Sequence, residues 1–290
     1  MSKLKFSEDQ VSRGFPEFRG EVFLGLGEIA NGRFATRITK VKVFVLGIII
    51  IFSYIFLLVF ALDTNVQLIS AFIFGISLLF FVLSISHDCA HGAFSKKRIV
   101  NILLLHVPFA LLGIDPKMWQ MRHLKSHHKF PNIDECDADI DENPFIRLSP
   151  NQDFKPWHRF QHLYALVLYT FVAIHAVWIQ DLNYMNREKL ANMNNWHKLV
   201  PSWTRFFAYK SIHVSCFYLL PIYFMQNSWA EIVLGSLFIQ GVISLFFILP
   251  LIGTHFSDKA AFPTLKDGKI EYSYPHYQIV ASIDWNPTSK

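Results

Sequence analysis

The segment His123-Leu124-Lys125-Ser126-His127-His128 places three imidazoles in six residues. On a helix, residues i and i+4 share a face one turn apart. His123 and His127 are therefore predicted to point at one object, with His128 about 100° further round. Upstream stands a second pair at the same spacing, His87-Asp88-Cys89-Ala90-His91. Imidazole is a ligand for iron, zinc and copper. One such pair arises easily by chance. Two, each abutting an apolar span, read as two walls of a metal site. His255, at the end of a later span, adds a sixth imidazole. Six exceed the roughly three or four protein ligands of a zinc site and fit two metals better than one. Imidazole-rich coordination suits redox iron, although ligand type alone leaves zinc and copper open.

The elements that must position these residues are apolar. The chain has 290 residues, 52% of them hydrophobic, and a mean hydropathy of +0.29. That balance is too apolar for an ordinary soluble domain and points to a membrane. Val43 to Leu62 and Val66 to Ser86 are uncharged runs of crossing length, separated by the polar break Asp63-Thr64-Asn65. They predict a hairpin. Eight Lys/Arg precede the first run and none lie in the turn, so the outer ends, His87 included, are assigned to the cytoplasm. Residues 206–225 and Trp229 to Ile252 predict a second hairpin around Gln226-Asn227-Ser228, returning the chain to the same side at His255. Ile99 to Ile114 is only sixteen residues, with His106 and Pro108 inside. It is short for a crossing, and one crossing there would put the two histidine clusters on opposite faces. A surface-lying or re-entrant segment is expected. The fold class is thus all-α and integral to the membrane: four transmembrane helices as two hairpins, plus cytoplasmic and interfacial helices that carry the histidines. Residues 1–42 form a cytoplasmic N-terminal segment, in which Phe15, Phe18, Val22 and Phe23 suggest a surface helix or a partly ordered tail. Residues 43–290 form the membrane domain.

Other features carry less. The net charge of +5 fits basic cytoplasmic loops and, without a reading motif, gives no reason to expect nucleic acid. Three unpaired-looking cysteines (Cys89, Cys136, Cys216) show no disulfide or CxxC pattern. The acidic run Asp134 to Glu142 lacks the glycine and spaced glutamate of a calcium loop. It reads as a solvated loop, some of whose carboxylates orient metal-ligating histidines. His158 and His162 form a further i, i+4 pair, either a third ligand wall or, as favoured here, a polar anchor for an interfacial helix. His175 is expected to be hydrogen-bonded in the interior. No signal peptide or lipid-attachment motif is read at the N-terminus.

His87-Asp88-Cys89-Ala90-His91-Gly92 and His123-Leu124-Lys125-Ser126-His127-His128 resemble the first two histidine boxes of the membrane fatty acid desaturases, in particular the bacterial acyl-lipid or linoleoyl-CoA desaturase-like group. The resemblance extends over Asp134 to Ile140, His158 to His162 and His255. It implies a non-haem di-iron centre on the cytoplasmic face of a multi-pass protein, bacterial and inner-membrane, that uses O2 and two electrons to make a cis double bond in an acyl chain. By matching, the two Fe ions would be held by His87, His91, His123, His127, His128 and His255, and Trp119 would line the acyl channel. The substrate would be a membrane lipid or an acyl-CoA. No flavin, iron–sulfur or haem motif is present, so a separate ferredoxin or cytochrome b5-like carrier is expected as electron donor. The family's third histidine box, HxxHH or QxxHH, is missing. The expectation is a C-terminal fragment that loads iron incompletely and does not desaturate. Two alternatives share the site: a histidine-box hydroxylase or monooxygenase, and a truncated inactive form. A haem-binding membrane electron carrier is the reading from a different class.

Overall fold

A computed structural model describes residues 5–6, 16, 34–140, 144–255, 258–266 and 268–283, the side chains of 5 and 253–255 excepted. The surface helix expected around Phe15 to Phe23 lies outside the described residues.

The described fold is mostly helical. Helix α1 (Arg37–Val59) starts at Thr36, whose hydroxyl accepts the Thr39 N–H at 3.2 Å. Asp63 caps α2 (Thr64–Ala90) by accepting from Asn65 and Val66. Such caps satisfy N–H groups that the first turn leaves without partners. Helix α1 keeps an apolar face outward (Ile38, Phe44, Ile48, Phe52), as a lipid-facing helix does. The chain continues as α3 (Arg98–Leu112) and α4 (Pro116–His127), bent by 108°. It then forms α5 (Pro156–Tyr169) and α6 (Val172–Met185), bent by 69°. A short hairpin, β2 (Lys189–Leu190) with β3 (Met193–Asn194), leads to α7 (Trp196–Leu199). Helix α8 (Trp203–Val214) runs through a π-turn, Ser215–Leu219, into α9 (Leu220–Phe224). The long α10 (Trp229–His255) follows, and α11 (Tyr274–Val280) comes last. An N-terminal strand, β1 (Lys5–Phe6), pairs in parallel with β4 (Lys269–Ile270).

Among the described residues, three helices are long and apolar enough to cross a membrane: α1, α2 and Trp229–Ile252 of α10. The third predicted crossing is helical from Trp203 to Phe224 but does not meet that standard. Its first half carries Arg205, buried Lys210 and buried His213. The short segment predicted at Ile99 to Ile114 is the first arm of the 108° bend.

The direction of the spans follows from two contacts. Gln67, after the first turn, and Asn227, in the second, exchange amide hydrogen bonds of 2.8 and 3.2 Å. Further along, a Cβ added to Gly75 would stand 2.9 Å from Ile239 and 3.5 Å from Ile243. Helices α2 and α10 therefore start at one end and run side by side. His87 and the backbone of His255 close the two helices at the opposite end.

Candidate metal centre

Two π-turns set the histidines in place. In an ordinary helix the N–H of residue i+4 bonds the carbonyl of residue i. At the end of α4 the His128 N–H instead reaches the His123 carbonyl, five residues back, at 2.9 Å. A second π-turn, Val82–Ser86, immediately precedes His87. Such one-turn insertions reset the register of the side chains that follow. Asp115 starts α4 by accepting from the Lys117 and Met118 N–H groups, and Pro116 supplies a pre-set φ at the first helical position. Ser86 Oγ ties the first wall to α3 by donating to the Leu104 carbonyl, and Gln120 Nε2 joins the two walls by donating to the Ala90 carbonyl, both at 2.6 Å.

His87, His91, His123 and His128 converge, with one ring nitrogen from each within 4.8 Å of all the others. His123 Nε2 lies 3.0 Å from His87 Nε2 and 2.9 Å from His128 Nε2. Two nitrogens bound at right angles, each about 2.1 Å from one ion, stand about 3.0 Å apart. The spacing therefore suits a shared cation. The electrostatics agree: burial, then the neighbouring imidazoles, push His123 down to about 2 and His128 down to about 4. Both lie outside the three candidate spans. Rings kept neutral keep the lone pair a metal needs.

His127 is turned elsewhere. Its Nδ1 faces Asp137, at 3.1 Å, and Asp139, at 3.7 Å. Burial opposes its charged form, but the Asp137 hydrogen bond and the charges of Asp139 and Asp137 raise its pKa above the ordinary value. Asp137 is itself fixed by the N–H groups of Asn132 and Asp139, each at 2.9 Å. The loop reaches His127 because Ser126 Oγ donates to the Cys136 carbonyl and accepts from the Ala138 N–H. A carboxylate on one ring nitrogen leaves the other for a metal, as in many metal–histidine–carboxylate arrangements. His127, Asp137 and Asp139 form a second group of potential ligands.

The remaining candidates fall as follows. His255 ends α10 on the same side, but its side chain lies outside the described residues. Trp119 stacks on His123, with centroids 4.7 Å apart and planes 15° from parallel, and packs on Phe109 at 4.9 Å. His158 is spent on local structure, with Nδ1 accepting the Lys155 N–H at 3.1 Å and Nε2 3.3 Å from the Pro144 carbonyl. His162 is exposed and belongs to neither ligand group among the described residues. His175 is exposed rather than interior, because it lies on the face of its helix opposite buried Val177 and Asp181. The roles of Ser126, Ser86 and Gln120 were not predicted, since a serine or glutamine near a histidine pair carries no signal of its own. Asp137 was covered only by the general expectation for the acidic run.

Comparison with known proteins decides the family. The sequence profile of the Fatty acid desaturase family matches residues 63–287. The chain belongs to this family. Curated relatives of the desaturase chain include the acyl-lipid (8-3)-desaturase of Physcomitrium patens, 28% identical over 71% of this chain and 43% of the relative. Another is the sn-1 linoleoyl-lipid 6-desaturase of Arthrospira platensis, 27% identical over 74% of this chain and 58% of the relative. The acyl-lipid omega-13 desaturase of Chlamydomonas reinhardtii is 33% identical over 40% of this chain and 25% of the relative. The desaturase chain thus spans about half the length of the first two relatives. No solved structure matches it.

Proposed function

We propose that the chain is the membrane and histidine-box portion of an O2-dependent fatty acyl desaturase. The supporting observation is the convergence of His87, His91, His123 and His128 at the end of a candidate membrane span. In this reading those four residues, with His127 and His255, hold two iron ions. When bound, the metal supplies the redox chemistry by which O2 and two electrons remove two hydrogens from an unactivated acyl chain. Asp137 holds His127 in one orientation and tautomer. Trp119 and Phe109 provide an apolar wall that excludes water and admits a hydrocarbon tail. The names of the relatives favour a lipid-bound acyl group over a CoA ester.

The proposed topology has four crossings, with 203–224 as the third. The amide pair between Gln67 and Asn227 supports placing both turns at one surface. The histidines then share the other surface, assigned to the cytoplasm of a bacterial inner membrane. The electrons come from a separate ferredoxin or cytochrome b5-like protein.

The test is expression in a host membrane, followed by mass spectrometry of total fatty acids and iron analysis of the purified protein. Iron at a substoichiometric level, lost in His87→Ala and His123→Ala, is expected; a new acid lacking two hydrogens would show that the chain desaturates without the third histidine box. A product that has gained oxygen would move the assignment to a hydroxylase. A protein with haem absorption and no iron at the histidines would overturn it.

A further inference from the structure

A second apolar site lies at the turn end, away from the histidines. A cavity of about 260 Å³ opens between α1, α2, α9 and α10. Its floor is closed by Phe74, Phe217 and Ile239, each buried, with Phe74 and Phe217 rings 5.8 Å apart. From Phe74 to His87 is about 20 Å of helix at 1.5 Å per residue. The cavity is therefore separate from the candidate metal centre.

Three features indicate an occupant. Two polar side chains of the inner wall are already satisfied: Tyr54 Oη donates to the Cys216 carbonyl at 2.6 Å and Ser236 Oγ to the Phe217 carbonyl at 2.7 Å. The lining is mostly apolar. Next, Gly235 lines the space, and a Cβ built there meets nothing within 4 Å. A mid-helix glycine costs about 1 kcal/mol relative to alanine. Unlike Gly75, no neighbour demands it, and its absent side chain keeps the space open. Finally, the cavity borders outward-facing Leu68 and Leu234 and is rimmed by Gln67, Asn227 and Glu231. Glu231 Oε2 accepts from Ser228 N and Oγ, both at 2.8 Å, and these donors are neutral. The rim therefore keeps a negative charge.

We infer that this cavity binds one hydrocarbon chain of a bilayer phospholipid whose amine headgroup sits at Glu231. The chain enters from the lipid side past Leu68 and Leu234. The amides of Gln67 and Asn227 lie at headgroup depth, and the carboxylate selects an ammonium over an anionic headgroup. This site is independent of the desaturase reading, since it contains none of the candidate ligands.

The test uses the full chain in vesicles of equal phosphatidylethanolamine and phosphatidylglycerol, each in turn carrying a photoreactive diazirine at mid-chain. Crosslinked residues are mapped by mass spectrometry. The ethanolamine lipid is expected to label cavity residues such as Leu57, Ala71 or Met225 at least fivefold over the glycerol lipid. Gly235→Leu, which fills the space and removes a helix-weakening glycine, should abolish that labelling while leaving labels on the outer face of α1. Glu231→Gln should retain cavity labelling and lose the headgroup preference. Labelling confined to the outer face in the wild type, cavity labelling that survives Gly235→Leu, or a preference unchanged in Glu231→Gln would each overturn the inference.

Discussion

His123 Nε2 sits between His87 Nε2, at 3.0 Å, and His128 Nε2, at 2.9 Å. It joins the two histidine clusters. Removing it takes away the nitrogen the two clusters share, whereas His158 serves a local turn. His123→Ala is expected to lower bound iron per chain by at least about tenfold, the lower end of the effect of losing even an outer partner of a metal ligand. His158→Ala should leave it unchanged. Metal analysis of the purified proteins reads both.

Asp137 holds His127 through Nδ1. Asp137→Asn keeps the shape and loses the charge. Metal affinity should fall by about 10- to 100-fold, with little change in helix content by circular dichroism. An affinity equal to wild type would show that His127 needs no orienting carboxylate.

Gly113 and Gly92 both have positive φ, +75° and +68°. A Cβ on Gly113 would meet His213 at 2.8 Å, while one on Gly92 meets nothing. Gly92→Ala should cost about 1–2 kcal/mol from backbone conformation alone. Gly113→Ala should cost that plus about 1–3 kcal/mol of overpacking. Thermal unfolding in detergent should rank them in that order.

Lys210 Nζ donates to Asp181 Oδ2 at 2.9 Å, and Arg205 Nε to Asp115 Oδ2 at 3.1 Å, around the bend that precedes α4. Lys210→Met leaves Asp181 charged without its cation and should destabilise by about 3–5 kcal/mol. The double change Asp181→Asn with Lys210→Met should recover more than half of that loss. Unfolding of the two variants side by side checks it.

Much of the fold was legible because membrane burial writes itself in runs of apolar residues. Val43 to Leu62 follows α1 to its end at Val59 and overshoots it by three residues, while Val66 to Ser86 falls within α2. The segment at 203–224 was harder, since Arg205, Lys210 and His213 interrupt it and only packing shows where they are accommodated. His175 was misread because an apolar run does not reveal which face of its helix packs inward, and the buried face carries Val177 and Asp181. At the candidate site, the i, i+4 rule held for His87 and His91, whose rings lie 4.8 Å apart.

The rule did not hold in the same way at the second cluster. The π-turn brings His128 to His123 and leaves the His127 Nδ1 facing Asp137. The sequence by itself determined the clustering of imidazoles, the apolar spans that carry them and the family. Only the tertiary structure decided which imidazoles meet. Ring direction depends on one inserted residue per helical turn, and on a carboxylate loop that Ser126 draws in from ten residues away.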